Sequence, residues 1–192
     1  MRLGIIVEGH GDESAAPVLI RRILGRERPA LSVQLIPFRL ARTRMLKSRE
    51  LERAVDFLAR RVGLEGSILV LLDADDDCPA ILGDTLTNIA RTARPDLRIA
   101  VVAAVREYEA WFLGSVLSLR GQRGLSTEAV PPADPESIRG AKEWLGARMQ
   151  NGYSETLDQP AFSALLDLDL TGKLPSFGKL VREVCRLADR SA

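Results

Sequence analysis

Histidine is nearly absent from this chain: His10 is the only one among 192 residues. Cysteine occurs twice, as Cys78 and Cys185, with no CxxC pair. These scarcities exclude a zinc centre built on Cys and His, and they exclude a disulfide framework. A Ser-His-Asp or Cys-His triad has no support, because neither Ser14 nor Cys78 sits in a recognisable motif. Long apolar runs are also missing. No stretch reaches 18 apolar residues, so no transmembrane helix and no membrane partner are expected. The run over residues 3–7 is too short for a signal peptide, so a reduced, cytoplasmic protein is expected. Charge of one sign is not in excess: 27 Lys and Arg face 26 Asp and Glu, a net charge of +1. Coating of nucleic acid by bulk charge is thereby excluded, and any such contact must come from local patches. What remains is ordinary for a globular chain, 46% hydrophobic and 28% charged. A chain of this length buries about 70% of its unfolded surface in one domain.

The first half alternates between two hydrophobic periods. Short apolar runs over residues 3–7, 31–38, 68–72 and 97–105 read as strands. Helical spacing covers 15–24, 48–62 and 81–93. Strand and helix in strict alternation predict an α/β fold, a doubly wound, Rossmann-like parallel sheet of about four strands. The second half reads as helices over 109–119, 138–149, 162–168 and 177–188, with loops at 121–135 and 151–160. We therefore expect an α/β core over 1–115 and a helical C-terminal extension over 116–192, packed on the core as one structural unit.

Acidic residues gather where the predicted strands end. Glu8 follows the first strand, and Asp12 stands at the start of the first helix. Asp73, Asp75 and Asp77 follow the third strand, and Glu107 and Glu109 the fourth. Parallel strands deliver all of these to one edge, the edge at which ligands bind in such sheets. Clustered carboxylates repel one another unless a cation neutralises them, and hard oxygen donors suit Mg²⁺ or Mn²⁺. In an extended segment Asp73 and Asp75 point to the same side. A pair of ions about 3.5–4 Å apart activates water and steadies the leaving oxygen of a phosphodiester. Each acid has a plainer reading: Asp12 as a helix cap, residues 75–77 as a solvated turn. Three apolar strands of one βαβ series that end in acids are harder to ascribe to solubility.

Val7-Glu8-Gly9 after the first strand and Leu72-Asp73-Ala74-Asp75 after the third resemble the Toprim domain of topoisomerases and primases. The Glu8 to Asp12 spacing is most similar to OLD-type nucleases. Three further segments resemble a bacterial Toprim-like family of unknown function over nearly the full length: Glu107-Tyr108-Glu109-Ala110-Trp111-Phe112-Leu113, Glu155-Thr156-Leu157-Asp158-Gln159-Pro160 and Pro175-Ser176-Phe177-Gly178-Lys179-Leu180. The resemblance implies a Mg²⁺- or Mn²⁺-dependent nuclease centre, with nucleic acid as the partner and DNA rather than RNA the first expectation. Glu8 would be a ligand or general base, with Asp73 and Asp75 catalytic metal ligands. Asp12, Asp77 and either Glu107 or Glu109 would complete the site. OLD-type nucleases also use a lysine, for which Lys179 is the nearest candidate, although no motif spacing fixes it and an exposed helix lysine is the preferred reading. The chain has no GxxxxGK[ST] loop, so an ATPase would have to be a separate partner, in phage defence or DNA metabolism. The alternative is a metal-binding regulatory module without turnover. An aspartyl-phosphate enzyme is disfavoured, because its DxD would follow the first strand rather than the third.

Arg39, Arg42, Arg44 and Lys47 open the densest basic stretch and are the candidates for nucleic-acid phosphates, with Arg49 and Arg53 behind them. A solvated helix face paired with Glu50 and Glu52 is the competing reading. Trp111 and Phe112 suit the core better than a base-stacking platform. Tyr153 reads as a surface aromatic in a loop that, with Glu155 and Asp158, folds back over the site. His10 reads as a turn residue, and Cys78 as a buried or half-buried thiol.

Overall fold

The computed structural model describes residues 1–189. Its centre is a four-stranded parallel sheet in the order β2-β1-β3-β4, built from β1 (Arg2–Val7), β2 (Gln34–Arg39), β3 (Ser67–Asp73) and β4 (Arg98–Ala104). The two central strands, β1 and β3, bury nearly every side chain, as a parallel sheet covered on both faces requires. Their register pairs Leu3 with Ser67 and Ile6 with Val70, while β3 and β4 run together from Ser67 and Arg98 to Asp73 and Ala104. Acids that follow β1, β3 and β4 therefore leave the sheet at one edge. Pro37, which has no N–H to give a neighbour, falls in β2, the terminal strand, where that loss is tolerated.

Helix α1 (His10–Glu27) starts five residues before the apolar spacing predicts, because polar contacts at Gly9 and Asp12 organise its first turn. After α2 (Arg42–Met45) come α3 (Ser48–Val62) and α4 (Pro79–Ala93), which cover one face of the sheet. Gly4 lets α3 lie close on β1: a Cβ there would stand 3.1 Å from Leu58 Cδ1 and 3.3 Å from Val62 Cγ1.

The other face is covered by α1 and by the second half of the chain. The helix expected over 109–119 is two pieces, α5 (Ala110–Gly114) and α6 (Val116–Leu119), broken at Ser115. The helix expected over 138–149 shrinks to α7 (Ala141–Gly146). The polar segment read as loop over 151–160 is helical from Glu155, as part of α8 (Glu155–Leu165). Short α9 (Leu168–Thr171) and α10 (Pro175–Ala188) follow. Helix α8 lies along α1, and α10 lies on β4 and β3. One apolar core joins α1, α5, α8 and α10 to the sheet, centred on Trp111, Phe112, Phe162 and Phe177. Trp111 and Phe112 are fully buried and offer no face to a base. Among the described residues no helix is long and apolar enough to cross a membrane.

Candidate active site

The turn after β1 carries the first two acids. The Gly9 N–H donates to Asp12 Oδ2 at 2.9 Å, which fixes Asp12 at the start of α1. The other oxygen, Asp12 Oδ1, accepts from Gln159 Nε2 of α8 at 2.6 Å. Gly11 is required by this approach of α8 to α1, since a Cβ there would lie 2.0 Å from Gln159 Oε1 and 2.7 Å from the Glu155 carbonyl oxygen. Burial raises the Asp12 carboxyl above its ordinary range, against the opposing pull of its hydrogen bonds to Gly9 and Gln159. Glu8, half-buried, is pushed up to about 7 by burial first and then by the charges of Asp12 and Asp75, which outweigh Arg42.

Strands β3 and β4 add the next pair. Asp73, the last residue of β3, is buried and accepts the Tyr108 N–H at 2.7 Å. Burial and the neighbouring Glu109, Glu8 and Asp12 charges hold it well above the usual carboxylate range. Glu109 has no exposed surface; its Oε1 accepts from the Tyr153 hydroxyl at 2.9 Å. It too is pushed up to about 7, by burial above all, against the opposing pull of Lys142 and the Tyr153 hydroxyl. Among the described residues, the buried side-chain atoms without a hydrogen-bond partner are Glu8 Oε2 and Glu109 Oε2.

The cation facing these acids comes from the second half of the chain. Lys142 Nζ lies 2.8 Å from Glu155 Oε1. Burial works to lower its ammonium, but Glu109, Glu155 and Asp73 outweigh that, so it stays protonated far above neutrality. Nothing in the sequence spacing points to Lys142, which is half-buried; an acidic centre calls for a nearby cation without saying which. Lys179 is elsewhere, half-buried on α10 and leaning over Gly83 of α4.

The geometry separates Glu107 from Glu109. The Glu107 carboxylate accepts backbone N–H groups of Gly140, Ala141 and Lys142 at 2.9, 3.3 and 3.4 Å. It thus anchors the first turn of α7 and holds the backbone of Lys142 in place. Asp75 and Asp77 are exposed and are tied by Arg42, whose Nε lies 3.1 Å from Asp75 Oδ2 and whose Nη2 lies 2.6 Å from Asp77 Oδ2. Arg42 Nη1 also donates to the Asp73 carbonyl oxygen. Glu8, Asp12, Asp73 and Glu109 therefore form the inner group, Asp75 and Asp77 the rim.

Arg42 is held by its own protein's acids, and Arg44 pairs with Glu50 at 2.6 Å. Arg39 and Lys47 are exposed on the surface. Tyr153 corrects the expectation of a surface aromatic: it is half-buried, stacks on Phe162 and bonds Glu109. Asp158 is buried, receiving Arg123 Nε at 2.9 Å and the Ser154 N–H at 2.8 Å. His10 is exposed, and so is Cys78, which precedes α4 rather than packing beneath it.

The inner group suits an oxygen-coordinated divalent cation by donor chemistry and charge: four carboxylates, two with unpartnered oxygens, faced by half-buried Lys142. The fit is not that of a pre-formed cage, because no three His, Cys, Asp or Glu side chains among the described residues already stand in position around an ion.

A family model described as a domain of unknown function (DUF4276) matches residues 7–184, and the chain belongs to that family. No curated protein and no solved structure matches the sequence.

Proposed function

We propose that this DUF4276 chain is a Toprim-like, Mg²⁺- or Mn²⁺-dependent nuclease, related to the OLD type, that cleaves the phosphodiesters of nucleic acid, DNA being the first substrate to test. The observation that carries the reading is the mutual charge of Glu8, Asp12, Asp73 and Glu109 at one sheet edge, only partly relieved by half-buried Lys142 and by Arg42 beside Glu8. Glu8, Asp73 and Glu109 would hold the ion, with Asp12 behind them and Asp75 at the rim. A bound divalent cation supplies Lewis acidity and a lowered pKa for water. The chain supplies the rest. Glu8, whose Oε2 has no partner in the protein, would be either a ligand of the ion or the general base toward water beside it. Lys142 keeps its charge and faces the centre, where negative charge develops on a phosphoryl group. Tyr153 and Gln159 orient Glu109 and Asp12. A separate ATPase is the partner that the OLD likeness suggests.

Pure protein should cleave DNA only with Mg²⁺ or Mn²⁺, and Asp73→Asn or Glu109→Gln should lower the rate by about 10²–10⁴-fold. A folded protein that cleaves no DNA or RNA with either ion counts against the nuclease. The two unpartnered oxygens, Glu8 Oε2 and Glu109 Oε2, also suit one other reading, a metal-responsive module without turnover. Calorimetry showing tight Mn²⁺ binding by protein that cleaves nothing would select it.

A further inference from the structure

Beside the acidic centre, Arg106 from the loop after β4 and Arg139 from the segment before α7 meet on one exposed carboxylate, Asp76, in the loop after β3. Asp76 Oδ1 is bonded by Arg106 and lies 2.6 Å from Arg139 Nη1. The cleft they line has a volume of about 210 Å³ and is completed by Asp75, Glu107 and Gly140. It abuts the inner acids: Asp75 acts on Glu8, and Glu107 carries the helix of Lys142. The loops are locked in costly backbone. Asp75 and Arg106 are both left-handed, with φ of 49° and 62°, and the Asp75 N–H donates to the Arg106 carbonyl oxygen at 2.9 Å. Non-glycine residues are uncommon in that region and persist where the surroundings enforce them. Here they set Arg106 against the cleft, and its Nη1 also donates to the Asp75 carbonyl oxygen at 3.0 Å. The guanidinium therefore keeps an anchor that does not involve Asp76.

We infer that Arg106 and Arg139 form a phosphate clamp for the nucleic-acid strand entering the acidic centre, with Asp76 occupying the clamp in the free protein. The inference rests on the nuclease reading for the identity of the strand. Paired guanidiniums match the forked geometry of a phosphate as they match a carboxylate. Asp76 is 68% exposed, so a phosphate reaches the pair by displacing one solvated side chain. Arg139 is equally exposed and can swing with the ligand. This clamp differs from the basic stretch at 39–47, whose Arg42 and Arg44 are engaged with other acids.

The test is binding of a fluorescein-labelled single-stranded DNA oligonucleotide in EDTA, read by anisotropy across a salt series. Without a divalent cation, binding is separated from cleavage, so a failed nuclease and a failed clamp give different results. Arg139→Ala should weaken binding roughly three- to tenfold and reduce the salt slope by about 0.7, one phosphate contact on a single strand. Asp76→Asn should tighten binding roughly threefold, because the resident anion is gone and Arg106 keeps its carbonyl anchor. A purely structural Asp76 would give the opposite sign. Unchanged or weaker binding by Asp76→Asn with an unchanged melting temperature overturns the clamp, as does unchanged binding by Arg139→Ala. Inorganic phosphate competing as well as oligonucleotide at equal phosphate concentration would assign the site to free phosphate and overturn the strand.

Discussion

The two faces of the sheet are closed by different chemistry. Helices α3 and α4 bury only apolar side chains and glycine, from Leu51 to Ala90. The face under α1 and the second half of the chain buries Asp12, Glu109, Glu136, Asp158, Gln159, Ser163 and Ser176. Most of these polar groups answer each other. Tyr108 and Ser163 share a hydroxyl bond at 2.9 Å, and Glu136 receives the Ser176 N–H at the start of α10, where Trp111 Nε1 donates to Ser176 Oγ at 2.8 Å. The inner carboxylates are the exception, since two oxygens there have no partner. One face is therefore a stability device, while the other stores unbalanced charge at the sheet edge.

The largest stability effect should come from the apolar face. Leu58 is fully buried against Gly4, and Leu58→Ala should cost about 2–5 kcal/mol in urea unfolding, for the lost transfer energy and the residual cavity. The acidic centre should be untouched, so any Mn²⁺-induced stabilisation of the wild type should persist in the variant. Loss of that response would mean that the faces are coupled.

The second test reads the charge on the other face. Glu109 titrates at about 7 in the folded chain against an ordinary value of 4.5. Between those values the folded chain holds more protons than the unfolded chain, so stability falls as pH rises from about 4.5 through 7 and levels off beyond. For this fully buried group the fall is roughly 3 kcal/mol. Glu8, Asp12 and Asp73 push in the same direction. Depressed groups such as Asp76 and Asp96 act only at lower pH. Urea unfolding at pH 5 and pH 8 should show the drop, and Glu109→Gln should flatten much of it. A protein more stable at pH 8 than at pH 5 would contradict the stored charge.

Much of this contrast was legible in the sequence, and the reason is local. Residues that directly follow apolar strands, such as Glu8 and Asp73, can be placed once the strands are known to be parallel. What the chain places by long-range contact was not legible. Glu107 and Glu109 look alike at a spacing of two, and only the arrival of Gly140 and Ala141 makes one of them a helix anchor. Lys142 comes from a helix whose place depends on that same contact. The start of α8 was missed because 151–160 is polar, yet Asp158 supplies the hydrogen bond that opens the helix and Gln159 faces Asp12.

Gly11→Ala separates a packing effect from a chemical one. The added methyl would strike Gln159 and the α8 backbone, forcing α8 off α1 at about 1–3 kcal/mol. Gly25, in the same helix, has nothing within 4 Å of its virtual Cβ, and Gly25→Ala should instead stabilise by about 0.5–1 kcal/mol. Thermal melts of the two variants should move in opposite directions, and movement in the same direction would show that α8 does not constrain α1.

The smallest effect concerns the hydroxyl that stabilises ionised Glu109. Tyr153 donates to Glu109 Oε1, which favours the charged carboxylate. Tyr153→Phe keeps the ring stacked on Phe162 and removes only that donor. At pH 8, with Glu109 charged, the loss should be about 1 kcal/mol or slightly more, since a buried acceptor is left bare. At pH 5 the carboxyl is protonated and has less need of a donor, so the loss should be smaller. The drop between the two pH values therefore steepens in Tyr153→Phe and flattens in Glu109→Gln. In the double variant the Tyr153 substitution should no longer add pH dependence, because the group it acts on cannot ionise. Equal losses at both pH values would make Tyr153 a packing residue and leave Glu109 to be balanced by Lys142 alone.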